Sequence, residues 1–326
     1  MVGEPKTLLQ AVAYFRDENN CIHYLAAKRW PDGIVKCPRC GSDRVGYLEN
    51  QKRWQCSSRH ALRQFSIKVG TIMEDSPIGL DKWLPVFWLI ANCRNGISSW
   101  EIHRDLGVTQ KTAWFMLHRV RLAMQDARKG GKLSGEVEID ESYIGGKARN
   151  MHKAKRVKKL EGKGGGSVGK IGVQGLLERG GNIRVHVIND SSMGTLVPNV
   201  KENVEEGSHV YTDELKSYFQ LQGDYAHDVI NHTEKYVDGQ IHLNGLENFW
   251  SLLKRGLGGT YVSVEPFHLF RYVDEQVFRY NHRKHADGSN ISEAERFSAL
   301  CDQIVGRRLT YKQLTGKEGQ RQEEDF

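Results

Sequence analysis

The sequence predicts a multidomain protein: a helical lead-in, a zinc ribbon, a helix–turn–helix region, then an α/β domain on a mixed five-stranded sheet. Three observations predict it. Paired Cys and His residues stand at metal-ligand spacing near the N-terminus. Two helical patterns meet at a glycine before residue 110. From Gly135 onward, short alternating strands give way to long amphipathic helices.

A length of 326 residues suggests two or more domains. With 39% hydrophobic and 27% charged residues, the chain can bury a core and is not a disordered polyelectrolyte. A net charge of +7 fits a polyanionic partner, DNA or RNA. The longest apolar run, Trp83 to Ala91, is too short to span a membrane, and the N-terminus lacks a signal peptide's layout. The expected location is cytoplasmic. There the six cysteines stay reduced, so clustered ones point to metal rather than disulfides.

Residues 1–30 form the lead-in; LLQAVAYF has helical spacing, and isolated Cys21 reads as a small buried hydrophobe. The ribbon spans 31–76. Cys37 and Cys40 form a C-x2-C knuckle, and Cys56 with His60 forms C-x3-H. Four such ligands in two close pairs suit tetrahedral Zn²⁺, in a structural role because no coordination position stays open.

Residues 77–130 are the helix–turn–helix region. Asp81 is the expected cap of an apolar helix over Trp83–Ile90. The next helix runs from about Ser98 to Leu106, Gly107-Val108 turns, and Thr109 caps a helix carrying Lys111, Thr112, Trp114, His118 and Arg119. Lys111, Thr112 and Arg119 are the candidate DNA contacts of this helix. Its apolar side holds Ala113, Phe115, Met116, Val120 and Leu122.

In GEVEIDESYIGGK, from Gly135, Val137 and Ile139 alternate with Glu136, Glu138 and Asp140, the period of a half-buried strand. Asp140 falls near its end, beside a glycine turn, where a carboxylate can hold a hard cation. The following segment combines glycines with a basic run, Lys153, Lys155, Arg156, Lys158 and Lys159, that suits phosphates. KIGVQGLLERG and NIRVHVIND read as a hairpin turning at Arg179 to Asn182. A helix capped by Ser191 or Ser192 follows, then a strand ending at Asp213, then another strand.

If the first three strands form a meander and the fourth lies beside the first, Asp140 and Asp213 become neighbours at roughly 4.8 Å strand spacing. Asp190 would then lie two strands off, too far to share one ion. Asn244, Glu247, Ser251 and Lys254 share one face of a later helix, opposite Leu246, Phe249, Trp250 and Leu253. The expected catalytic unit ends near residue 290, and 291–326 reads as a tail.

Asp140, Asp213 and Glu247, with Lys254 seven residues after the glutamate, resemble the DDE transposases and their RNase H-like, retroviral integrase-like fold. The CPRCGS ribbon, EIDESYIGGK, YTDE and the stretch from Asn244 through FRYN together resemble bacterial insertion-sequence transposases over about Trp30 to Arg308. The resemblance implies that Asp140, Asp213 and Glu247 bind Mg²⁺ or Mn²⁺ and act catalytically, with Lys254 and Arg255 on the DNA side. It implies binding of double-stranded DNA at the terminal inverted repeats, nicking of transposon ends, and strand transfer of the freed 3′-OH into target DNA. A homo-oligomer assembled on nucleoid DNA is expected with it. The alternatives are a metal-dependent nuclease or resolvase of the same fold, and a DNA-binding regulator with an inactive catalytic domain.

Overall fold

The structure, a computed structural model, describes residues 4–125, 131–145, 170–213, 215–230 and 243–316. The chain divides into two compact units, residues 1–125 with 290–326, and residues 126–289.

In the first unit, α1 (Leu8–Phe15) and α2 (Glu18–Arg29) are each started by a side-chain cap, Thr7 and Asp17. Strands β1 (Val45–Leu48), β2 (Arg53–Cys56) and β3 (Gln64–Phe65) form a small antiparallel sheet, with Trp54 packed between the rings of Trp30, Tyr47 and Phe65. Helix α3 (Leu80–Asn92) starts differently from the expectation. Gly79 holds the cap position, and Asp81 lies in the first turn, where its charge meets the positive end of the helix dipole instead of capping. Helices α4 (Ser99–Leu106) and α5 (Gln110–Met124) are joined as expected. Ser98 and Glu101 form a capping box, Gly107 takes φ +61°, and the Thr109 hydroxyl accepts from the Thr112 N–H.

Residues 291–316 are not a tail. They form α9 (Glu293–Cys301) and α10 (Tyr311–Leu314) within the first unit. Phe297 is buried against the rings of Phe15, Tyr24 and Trp88, and Ile304, Leu309 and Leu314 are buried too. Aromatic burial of this size is a major hydrophobic contribution, which a polar-looking sequence conceals.

The second unit is built on β4 (Glu136–Ile144), β5 (Ile171–Glu178), β6 (Ile183–Ile188), β7 (His209–Asp213) and β8 (Ala226–Ile230). Their order is β6-β5-β4-β7-β8, with β4, β5 and β6 antiparallel and β7 and β8 parallel to β4. This is the mixed sheet expected, with the fourth strand beside the first. Helix α6 (Met193–Asn203) makes the crossover to β7 and covers one face, where Val137, Ile139, Leu176, Leu196 and Val200 share a core. Helices α7 (Asn244–Arg255) and α8 (Leu269–Asn281) cover the other, where Val173, Leu177, Leu246, Phe249, Trp250 and Val273 pack. Strand β4 is therefore central and covered on both faces, not half-buried. Its alternating acids face α7, and Glu138 is only 1% exposed.

Among the described residues, no helix is long and apolar enough to cross a membrane. The glycines after α7 do not end it cleanly. Gly256 stays right-handed, and the chain continues in a wider helical turn, Gly256–Tyr261.

Candidate functional site

The ribbon brings Cys37, Cys40, Cys56 and His60 together, with one ligand atom of each within 4.8 Å of the others. The Cys37 Sγ to His60 Nε2 distance is 3.6 Å, and Cys40 Sγ to Cys56 Sγ is also 3.6 Å. A tetrahedron with zinc–ligand bonds of about 2.0–2.3 Å has edges of roughly 3.3–3.8 Å, so these spacings match. His60 Nδ1 sits 2.7 Å from the Ala61 carbonyl; donating there leaves Nε2 as the free ligand atom. Desolvation raises the Cys56 thiol, but hydrogen bonds led by that from His60 outweigh it and hold the thiol at about 6. The cluster fits a structural zinc.

The second site is on the sheet. Strands β4 and β7 pair Glu138 with Tyr211, and two residues further along each lies an aspartate, Asp140 and Asp213. Both point to the face that carries Glu138, because side chains repeat every second residue. Helix α7 packs on this face. Its N-terminal Leu246 N–H donates to Glu138 Oε2 at 3.0 Å, and Trp250 Nε1 donates to Asp140 Oδ2 at 2.9 Å. Close approach needs small residues. A Cβ on Gly245 would lie 2.8 Å from Glu138 Oε2, and one on Gly175 would lie 2.8 Å from Trp250 Cζ2. Arg179 donates to Glu138 Oε1 at 3.1 Å, so the buried acid is paired.

Burial, then the charges of Asp213 and Glu247, push the Asp140 carboxyl up to about 6 against the opposing Trp250 hydrogen bond. On the other face, the neighbouring Glu141 accepts from the Tyr218 hydroxyl; burial, Asp213 and Asp140 push it up to about 9. Asp213 Oδ1 accepts from the Leu215 N–H at 3.0 Å. Asp140 is not near the end of its strand as expected, because β4 stays paired with β5 as far as Ile144. Asp140, Asp213 and Glu247 thus crowd one face, with Glu141 behind them, and like-charged oxygen donors are what a hard divalent cation relieves. Among the described residues, only the ribbon ligands are gathered within 4.8 Å; Asp140, Asp213 and Glu247 face one region without closing to that degree.

Helix α7 divides as expected. Asn244, Glu247, Ser251, Lys254 and Arg255 are exposed, while Leu246, Phe249, Trp250 and Leu253 are buried. Asp190 lies two residues beyond the end of β6, which is two strands from β4, and its Oδ1 accepts from Ser192 N–H and the Thr195 hydroxyl. On α5, Lys111 is exposed and lies over the Tyr311 ring, and Thr112 is part of the cap. Arg119 is a correction. It is 7% exposed, and its guanidinium donates to the Leu309 and Glu74 carbonyls, so it ties the C-terminal segment down and cannot reach a phosphate. Lys153, Lys155, Arg156, Lys158 and Lys159 lie outside the described residues. Sequence reading missed Glu138, Glu141 and Trp250 as parts of the site. The only signal was the adjacent acids in EIDES, since a core-facing tryptophan looks the same whether or not its N–H is used.

Residues 132–281 match an ISXO2-like transposase domain, and residues 16–59 match a transposase zinc-ribbon domain. A protein in transposable element ISH50 of Halobacterium salinarum, named as uncharacterized, is 30% identical over 290 residues, covering 83% of this chain and 95% of that one. The chain belongs to the ISXO2-like transposases. An uncharacterized transposase-like protein of Haemophilus influenzae is 32% identical over 96 residues, 29% of this chain and 77% of that protein.

Proposed function

We propose that this chain is a DDE transposase of an insertion sequence, with Asp140, Asp213 and Glu247 as its catalytic acids on an RNase H-like sheet. The observation that carries the reading is the register. Asp140, midway along β4, and Asp213, at the end of β7, lie on one face of adjacent parallel strands, and α7 brings exposed Glu247 onto the same face. The donor set fits Mg²⁺ or Mn²⁺. Bound there, such an ion lowers the pKa of an attacking water or 3′-hydroxyl and neutralises charge on the phosphate and leaving oxygen.

The protein's own residues do the rest. Asp140, Asp213 and Glu247 hold negative charge in a fixed array, and exposed Lys254 and Arg255 neutralise flanking phosphates. No side chain serves as nucleophile. In the nicking step a water oxygen bonds to phosphorus and the bond to the 3′-oxygen breaks, which frees a 3′-OH. In strand transfer that hydroxyl bonds to a target phosphorus and displaces the target's own 3′-oxygen. The zinc ribbon and the α4–α5 helix–turn–helix, with Lys111 and Thr112 at the N-terminal end of α5, recognise the inverted repeats. The protein works in the cytoplasm as a homo-oligomer on DNA.

The test is to incubate purified protein, Mg²⁺ and a transposon-end duplex with plasmid and to sequence the joints. Joints that link the duplex 3′ end to plasmid are expected. Cleavage without joints would select a nuclease or resolvase, and neither would select a DNA-binding regulator.

A further inference from the structure

We propose that Trp250 is a positioning residue for Asp140, tying that carboxylate to the helix that carries Glu247. The inference rests on the metal-ligand reading of these acids given above.

Its basis is a hydrogen bond with an unusual partner. Trp250 is 5% exposed, and a buried indole N–H needs an acceptor; here the acceptor is Asp140 Oδ2, at 2.9 Å. The indole N–H on Oδ2, together with the Glu141 backbone N–H, fixes the rotation of the carboxylate, and of these donors only the indole belongs to the helix that carries Glu247. The indole reaches that place through a slot in the sheet. Gly175 is the cross-strand partner of Asp140, and a Cβ there would fall 2.8 Å from the indole Cζ2 and 3.0 Å from Cη2. Any larger residue at 175 would push the ring out.

The helix has a second anchor. The Leu246 N–H donates to Glu138, two residues before Asp140 on the same strand face, and Gly245 makes room for it. Two contacts, spaced four residues along α7 and two along β4, fix both the height and the rotation of the helix. Glu247 lies between them, and Trp250 is its i+3 neighbour. The orientation of Asp140 and the placement of Glu247 are thus set by one rigid coupling. Partners that orient metal ligands in this way commonly govern affinity by 10–100-fold when removed. A phenylalanine would fill the apolar part of the slot but has no donor.

The experiment measures Mn²⁺ binding to full-length, zinc-loaded protein by the electron paramagnetic resonance signal of free Mn²⁺. Asp140→Asn marks the site. Wild type is expected to bind Mn²⁺ at a site that Asp140→Asn lacks, and Trp250→Phe to bind there about tenfold more weakly. End cleavage by Trp250→Phe should fall at limiting Mn²⁺ and recover at high Mn²⁺, with DNA-end binding unchanged. If Trp250→Phe melts early, β-(3-benzothienyl)alanine at 250 keeps the bicyclic ring and removes only the N–H; the same loss is expected. Wild-type Mn²⁺ affinity in either folded variant overturns the role of Trp250 alone. Equal Mn²⁺ binding by wild type and Asp140→Asn overturns the metal-ligand reading, and this inference with it.

Discussion

The zinc ribbon and the acidic cluster both gather groups that ligate cations, yet they use the chain in opposite ways. Cys37 and His60 are 23 residues apart, and the four ribbon ligands close to within 4.8 Å by local turns. Asp140 and Trp250 are 110 residues apart, and the acids come together only because two parallel strands and a helix pack around them. The ribbon is a small sheet with a two-residue β3, so its fold is expected to depend on the metal. The acidic site is the reverse case. Its scaffold has a hydrophobic core on each face of the sheet, and its carboxylates stay open. A closed cluster suits a structural ion; an open one, held by the fold, leaves room for substrate.

The largest effect expected from this contrast is at the ribbon. Structural zinc contributes about 10–16 kcal/mol to such folds. Cys40→Ser should release the zinc and unfold the ribbon, while the 126–289 unit keeps its structure. Metal analysis with limited proteolysis reads both; a variant that keeps its zinc would erase the contrast. In the second unit the equivalent weak point is a buried ion pair. Arg179→Met removes the guanidinium from Glu138, which is 1% exposed, and should cost about 3 kcal/mol in urea unfolding. A change within error would mean that the other partners of Glu138, among them the Leu246 N–H, suffice for its buried charge.

Smaller effects sharpen the electrostatic side. In magnesium-free buffer the folded Asp140 carboxyl, at about 6, is raised above its unfolded value of about 3.9. A raised acid stabilises the fold while it is protonated. That contribution is complete below pH about 4 and is lost as pH rises through about 6. Glu141, at about 9, extends the same trend upward. Melting temperature should therefore fall over this range, Asp140→Asn should flatten the lower part, and Mg²⁺ should reverse the fall. A wild-type melting temperature that does not depend on pH or Mg²⁺ would count against crowded acids. The smallest effect belongs to Lys254. Lys254→Ala should weaken end binding and reduce the salt slope by up to about 0.9, without changing Mn²⁺ binding.

Much of this was legible in the sequence, for identifiable reasons. Ligand spacing alone found the ribbon, because its ligands are local. Strand periodicity and connection order found the sheet, including the placement of Asp213 beside Asp140 and Asp190 at a distance. Where reading failed, the deciding contact was remote. Arg119 looked like a phosphate contact on an exposed helix, but Leu309, 190 residues away, accepts its guanidinium. Residues 291–316 read as a tail because Phe297 finds its partners in α1, α2 and α3. Glu138 looked solvated because its strand alternates, yet it is paired with Arg179 and receives the N-terminal end of α7.

The most direct test of the central claim, that the acids of the second unit form a cation-dependent catalytic centre, is end cleavage by Glu247→Gln. The substitution keeps size and helix propensity at an exposed position and removes only the charge. The account predicts that cleavage of a transposon-end duplex in Mg²⁺ is abolished while end binding, zinc content and melting temperature stay at wild-type values. A Glu247→Gln protein that cuts at near wild-type rate would contradict it.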